Sequence, residues 1–331
     1  MITYFNIAII ITVCLTTTVY AKQSVELPET ITLNNAVMKL IPAGEFIMGS
    51  NKKDEQQLQS EFGSINPWFM DEHPKHSENL AAYYINQYEI TNSQFKQFVK
   101  NKSYMPPDSW ISSGYIVSMK MDKLEVLPVE TIRKLVIDKF RIDIDTRSLT
   151  KTELINVISK HFSAMDNLPV NDIDWFGAEA YCEWVGAKLP TELEWEKAAR
   201  GKNGNEFPWG NGFESGLSNT GEEDWPMGLT PGGFYQRDKS DFGIFDLAGN
   251  VSEWVFDWYE AYPNSDYKSE RYGKQFKVVR GAGWGGNGHY ALELYQRGAY
   301  RYAQSPDAIL DDLGFRCAAN VDTALHSVTG H

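Results

Sequence analysis

Positive charge is scarce: 31 Lys and Arg stand against 44 Asp and Glu, for a net charge of −13. Binding a phosphate backbone needs a basic face, so nucleic acid is not expected as a partner. Cations, small molecules and basic partners remain compatible with the balance. Cysteine is scarcer, with 3 residues. No long apolar run follows the amino-terminal segment, so no membrane span is expected after it. Internal repeats are also absent. What the chain has in quantity is aromatics and glycine: 10 Trp, 17 Tyr, 17 Phe and 26 Gly. That mixture suits a core built under loops and short strands better than a helix bundle. The 331 residues suffice for one large domain or two ordinary ones.

Residues 1–21 read as a secretory signal. Ile7–Leu15 is an apolar stretch, and Val19-Tyr20-Ala21 is a small-x-small cleavage site before Lys22. No Lys or Arg precedes the apolar stretch, which leaves an uncleaved anchor as the alternative. The run is, however, shorter than the ~20 residues a span needs. Cys14 lies inside this segment, and Val13 before it is too large for a lipoprotein site. The mature protein is therefore expected outside the cytoplasm, periplasmic or extracellular, with no transmembrane span. It keeps Cys182 and Cys317, which read as a disulfide or as two buried thiols.

Residues 22–35 form a polar leader. Val37–Gly49 reads as two short strands around a Pro-Ala-Gly turn, and Tyr83–Tyr88 as an extended segment. A helix should start at Thr91, where Thr91 and Gln94 make a capping box. Further helices are expected over Asp174–Gly186 and over Thr191–Arg200, the latter with Thr191 and Glu194 as its capping box. Short strands are expected at Lys277–Arg280 and Gly314–Ala318. Residues 102–166 look like an insertion with helices at Val129–Phe140 and Thr150–Ile158. Asp143 and Asp145 between them lack the Gly turn and closing Glu of a calcium loop.

Seven segments then coincide in order. They are Ile41-Pro-Ala-Gly-Glu-Phe-Ile-Met-Gly49, Tyr88-Glu-Ile-Thr-Asn-Ser-Gln-Phe95, Leu189-Pro-Thr-Glu-Leu-Glu-Trp-Glu-Lys-Ala-Ala-Arg-Gly201 and Phe207-Pro-Trp-Gly210. Gly243-Ile-Phe-Asp-Leu-Ala-Gly-Asn-Val-Ser-Glu-Trp254, Val279-Arg-Gly-Ala-Gly-Trp284 and Leu313-Gly-Phe-Arg-Cys317 complete the series. Together they resemble the sulfatase-modifying-factor domain of formylglycine-generating enzymes. The resemblance implies an α+β, loop-rich fold related to C-type lectins, with little regular secondary structure. It would span residues 36–320, interrupted at 102–166 and followed by a tail at 321–331. It also implies a bridge between Cys182 and Cys317. A second family bridge would need Cys at Ala199 and near Gly298, and both halves are missing. The insertion is similar to helix-extension-helix SAP modules, but in an acidic exported chain it reads as structural or partner-facing.

The stretch from Asp246 to Glu253 sets two carboxylates around a Gly-Asn turn, a pattern of hard oxygens that suits Ca²⁺; the alternative is a capped turn with a solvated Glu. The resemblance carries one calcium site onto Asp246, Gly249, Val251 and Glu253, with Gly249 and Val251 acting through carbonyls. It carries a second onto Asn219, Thr220, Asp224 and the Pro226 carbonyl. Either ion would be structural, pinning loops.

The oxidase chemistry that the resemblance implies needs two cysteines after a Gly-Gly-Ser strand, binding copper(I) as thiolates. The first position falls at about Gly286 and the second between Ala291 and Glu293, none of them cysteine. The strand's Ser is Gly283, and the Trp of the Gly-Asn motif is Ser252. No copper and no cysteine-to-formylglycine oxidation are therefore expected. His73, His76 and Glu78 suggest iron ligands only superficially, since positions three apart on an extended segment face opposite ways. His289, Glu293 and Arg301 fall where the family's substrate cleft would be. They read either as acid–base or metal-binding groups or as polar lining. Trp284 and Tyr290 read as packing rather than as stacking platforms.

The expected function is an exported, calcium-stabilised binding or accessory and maturation module for an extracytoplasmic protein or small molecule. The alternatives are a periplasmic enzyme with different cleft chemistry, as in siderophore-chromophore maturation, and a sulfatase activator, against which the missing cysteines count.

Overall fold

The computed structural model describes residues 27–61, 67–223, 225, 228–285 and 292–329. Residues 1–21, expected to be a secretory signal, therefore lie outside the described residues. Among those described, no helix is long and apolar enough to cross a membrane.

The architecture is mixed α+β with short elements. One sheet has the order β1-β2-β5-β10, from β1 (Thr30–Leu33), β2 (Ala36–Ile41), β5 (Tyr83–Asn86) and β10 (Ala318–Asn320), all antiparallel. A hairpin joins β3 (Gly44–Met48) to β4 (His76–Leu80). A second four-stranded sheet runs β8-β7-β6-β9, from β8 (Arg301–Gln304), β7 (Lys277–Arg280), β6 (Ser252–Trp258) and β9 (Leu313–Phe315), with β6 and β9 parallel. Between β9 and β10 only Arg316 and Cys317 intervene, so the chain passes from one sheet to the other at that corner.

Local signals explain the helices. Thr91 and Gln94 form the expected capping box on the helix Asn92–Lys102. Thr191 and Glu194 do so on Glu192–Arg200, which ends at Gly201 with φ 65°. Asp174 accepts from the Gly177 amide and starts the helix Trp175–Trp184. Cys182 on that helix is bonded to Cys317 at the inter-sheet corner.

Within the polar leader, Thr30–Leu33 pairs with β2 and buries Ile31 and Leu33. In the tail, Val321–Thr329 is helical, with Ala324 buried. One expectation is corrected. The helix expected at Val129–Phe140 is α-helical only over Val129–Lys134 and widens to a π turn at Leu135–Lys139. The insertion shares the main core instead of forming its own. Trp110, Tyr115, Ile132, Leu154 and Phe162 lie in one apolar cluster with Phe95, Tyr181, Trp254 and Phe315. Trp110 is tied in further by its indole N–H, which donates to Asn92 Oδ1 at 2.7 Å.

Candidate functional site

The turn that precedes β6 is lined with buried acid. Asp246 and Asn250 adopt left-handed backbone, at φ 55° and 73°, which tightens the chain around Gly249. Asp246 accepts from the Gly233 amide at 2.6 Å. Asp238 accepts from the Leu247 and Ala248 amides. Glu89 accepts from the Val251 amide at 3.0 Å and from Asn250 Nδ2 at 2.7 Å. Glu253 takes a two-pronged grip from Arg316, both bonds at 2.7 Å, and a third bond from Trp195 Nε1 at 2.9 Å. The alternative of a solvated Glu253 is overturned, because its side chain is 0% exposed.

Electrostatics follow from that crowding. Four buried carboxylates, Glu89, Asp238, Asp246 and Glu253, surround one guanidinium, that of Arg316. Burial pushes the Asp246 carboxyl up to about 7, against the Gly233 amide and Arg316, which hold it down. Burial, with Asp246 and Glu253 nearby, drives Glu89 well above its ordinary range, and burial with Asp246 does the same to Asp238. Such a surplus of buried negative charge is balanced by bound protons or by a cation.

The second ligand set lies against the first. A Cβ on Gly249 would meet the Asn219 backbone oxygen at 2.5 Å, and the Asn250 amide donates to that same oxygen at 2.8 Å. Asn219 donates its amide hydrogens to Gly228 and Asn250, but its buried Oδ1 has no hydrogen-bond partner among the described residues, nor does Thr220 Oγ1. An orphaned buried oxygen is what a hard cation ligand looks like without its ion. Asp224 and Pro226 lie outside the described residues. Among the described residues, no three His, Cys, Asp or Glu converge as a metal cluster. An ion here would rest on carbonyl and amide oxygens beside one or two carboxylates, which calcium accepts.

Next to this turn is the position of the family's oxidase cleft. Ser252 donates to the Asp312 carbonyl at 3.0 Å and lies 3.2 Å from the Tyr302 hydroxyl. Gly283 faces Asp312 so closely that any Cβ would sit 2.8 Å from the Asp312 Cβ. A serine there would displace Asp312, whose carboxyl burial pushes up to about 6 with help from Asp311. Gly286, His289, Tyr290 and Ala291 lie outside the described residues. The other predicted cleft residues are dispersed. Trp284 packs its ring on Gly228 and donates to the Asp311 carbonyl at 3.0 Å. Glu293 pairs with Lys52 at 2.7 Å on the wall of a 770 Å³ cavity. Arg301 lines a different cavity of 260 Å³. Its guanidinium is already engaged: it binds Glu192 at 2.8 Å and the carbonyls of Asp71 and Glu260, over the Tyr259 and Tyr262 rings.

The histidines of the 73–78 segment have local partners. His73 bonds the Lys52 carbonyl, while His76 starts β4, bonds the Pro74 carbonyl and lies 3.6 Å from Glu78. The lost second bridge is also explained. A Cβ at residue 298 would lie 3.8 Å from that of Ala199, within disulfide range, but it would meet Arg200 Cγ at 2.4 Å. The Arg200 stem now fills the space. Sequence reasoning missed Glu89, Asp238 and Arg316. Glu89 and Arg316 stood inside two of the seven segments, and that placement was their only signal.

Residues 23–321 match the family profile of the sulfatase-modifying factor enzyme 1-like domain. Inactive C-alpha-formylglycine-generating enzyme 2 of Mus musculus is 28% identical over 296 residues, covering 85% of this chain and 84% of the relative. Formylglycine-generating enzyme of Mus musculus is 27% identical over 298 residues, covering 85% and 74%. The solved structure of PvdO from Pseudomonas aeruginosa shares the fold, with a TM-score of 0.56 at 19% identity over 89% of this chain and 99% of PvdO. With that match, the ordered segments and the α+β architecture in agreement, the chain belongs to the sulfatase-modifying factor enzyme 1-like domain family.

Proposed function

We propose that this chain is an exported, calcium-stabilised member of the family that works as a binding or accessory module for an extracytoplasmic protein or ligand, without copper oxidase chemistry. One observation carries the reading. A copper(I) dithiolate needs two free cysteines, and of the 3 in the chain two, Cys182 and Cys317, are joined to each other. Only Cys14 remains, outside the family domain. The mouse relative named as inactive supports the same reading. The test is to incubate the purified chain with a Cys-x-Pro-x-Arg peptide, copper and oxygen. The expected result is peptide of unchanged mass; a formylglycine product sinks the reading.

Calcium is the second part of the proposal. Asp246, Glu253 and the carbonyls of Gly249 and Val251 would hold one ion. Asn219 and Thr220, with Asp224 and Pro226, would hold the other. The surplus of buried carboxylate and the orphaned Asn219 Oδ1 support it. A bound ion would lock the turn before β6 onto residues 219–220. Chelation is expected to lower the melting temperature and calcium to restore it. At a hundredfold excess over Kd one ion stabilises by about 2.7 kcal/mol. An unchanged melting curve after chelation and reloading counts against the structural ion.

A further inference from the structure

The insertion contains a cavity that neither the oxidase cleft nor the calcium turn uses. It has a volume of 990 Å³ and lies between the end of the helix Asn92–Lys102 and the insertion's helices. Its wall is apolar, built from Val99, Ile116, Val117, Leu124, Leu127 and Leu135. Its charged groups are of one sign: Lys100, Lys120 and Lys123 line it beside the neutral Ser103 and Tyr104, and no Asp or Glu does. In a chain of net charge −13 that is a local reversal. Lys123 reaches only its exposed neighbour Asp122, at 3.6 Å. Lys100 and Lys120 make no ion pair among the described residues.

The backbone around this cavity departs from ordinary helix twice. Tyr115–Val126 consists of two 3₁₀ segments separated by a kink at Lys120, at φ −140° and ψ 42°. Runs of 3₁₀ beyond three or four residues are uncommon. Ile116 and Val117 before the kink and Leu124 and Leu127 after it all line the cavity. Leu135, also in the lining, opens the π turn Leu135–Lys139, a form that recurs at functional sites. A continuous α-helix over either stretch would place these side chains on a different spiral. The volume falls at the top of the range for small-molecule sites, and the chemistry is theirs: apolar walls with a few charged groups to fix one end.

We propose that this cavity binds a free long-chain fatty acid, its acyl chain along the aliphatic wall and its carboxylate at Lys100 and Lys120. The proposal is independent of the calcium and copper readings. An acyl chain matches the apolar wall, and negative charge matches a lining that holds three lysines and no acid.

The test uses the full chain with cis-parinaric acid as fluorescent probe. Saturable uptake of one equivalent in the micromolar range is expected, with displacement by palmitate and none by hexadecyltrimethylammonium. The double reversal Lys100→Glu/Lys120→Glu should weaken binding about tenfold with the melting temperature unchanged, because both side chains are exposed. Val117→Trp should weaken uptake at least tenfold by obstructing the apolar wall. Unsaturable uptake, equal displacement by the cationic amphiphile, or full affinity in the double reversal overturns the proposal. Displacement by an acidic apolar peptide but not by palmitate also overturns it, in favour of a protein partner.

Discussion

Arg316→Met is expected to destabilise the fold by about 3–5 kcal/mol, measured as a shift of the guanidinium chloride midpoint with the bridge intact. The guanidinium is completely buried. It holds both oxygens of Glu253 at 2.7 Å and also donates to the carbonyls of Asn86, Gln87, Phe245 and Asp246. Methionine replaces the stem but none of those donors. Among the described residues Glu253 would then keep Trp195 as its one hydrogen-bond donor, in a pocket that already contains Glu89, Asp238 and Asp246. Leaving a buried charge without its partner is the costly half of breaking an ion pair. The double variant Arg316→Met/Glu253→Gln should therefore recover part of the loss, a coupling that a double-mutant cycle reads directly. A loss below about 1 kcal/mol in the single variant would mean that the cluster's charge is balanced without Arg316.

Cys182→Ala/Cys317→Ala is the second large effect, about 5 kcal/mol on the chain-entropy account. The bridge closes a loop with a sequence separation of 135 residues, so its loss frees a large part of the unfolded ensemble. It also ties the helix Trp175–Trp184 to the corner where the chain leaves one sheet for the other. That corner carries Arg316, so loosening it should weaken the acid cluster too. The two losses are therefore expected to be less than additive when the variants are combined. Equal stability of the double alanine variant and the parent would show that the bridge constrains nothing the packing does not already hold.

The most legible parts of the fold were those with local chemistry. Capping boxes at Thr91 and Thr191 and the Asp174 cap lie within four residues of the amides they bind, so a short window of sequence contains the whole interaction. The strand at Lys277–Arg280 was also readable, although its hydrogen bonds go to distant strands. Strand β1 was not legible because the composition of residues 22–35 is hydrophilic overall. Only Ile31 and Leu33 alternate onto the buried face of β1, and two residues make a weak pattern. At Val129–Phe140 periodicity showed a helix but could not show the π turn, which adds one residue to a hydrogen-bonded loop without altering composition.

The candidate site was legible in part. The stretch from Asp246 to Glu253 was recognisable as an acid-flanked turn. What its carboxylates bind was not, since Arg316 and Glu89 come from the far ends of the domain. Arg301 shows the same limit more sharply. Its position in the sequence matches the family's cleft, yet Glu192 and two carbonyls hold it as part of the buried ionic core.

By itself, the sequence determined the family and the absence of a free cysteine pair from its domain. Both are properties of order and composition: seven segments in series, and too few cysteines for a thiolate pair once two are joined. Only the tertiary structure decided that Glu253 belongs to Arg316, that Asn219 lies on Gly249, that the Arg200 stem lies against residue 298, and that the insertion and the helix Asn92–Lys102 form an open cavity lined by three lysines. Each of these depends on burial and on which distant residues meet, and a side chain's charge and hydrogen bonds acquire their energies only in that company.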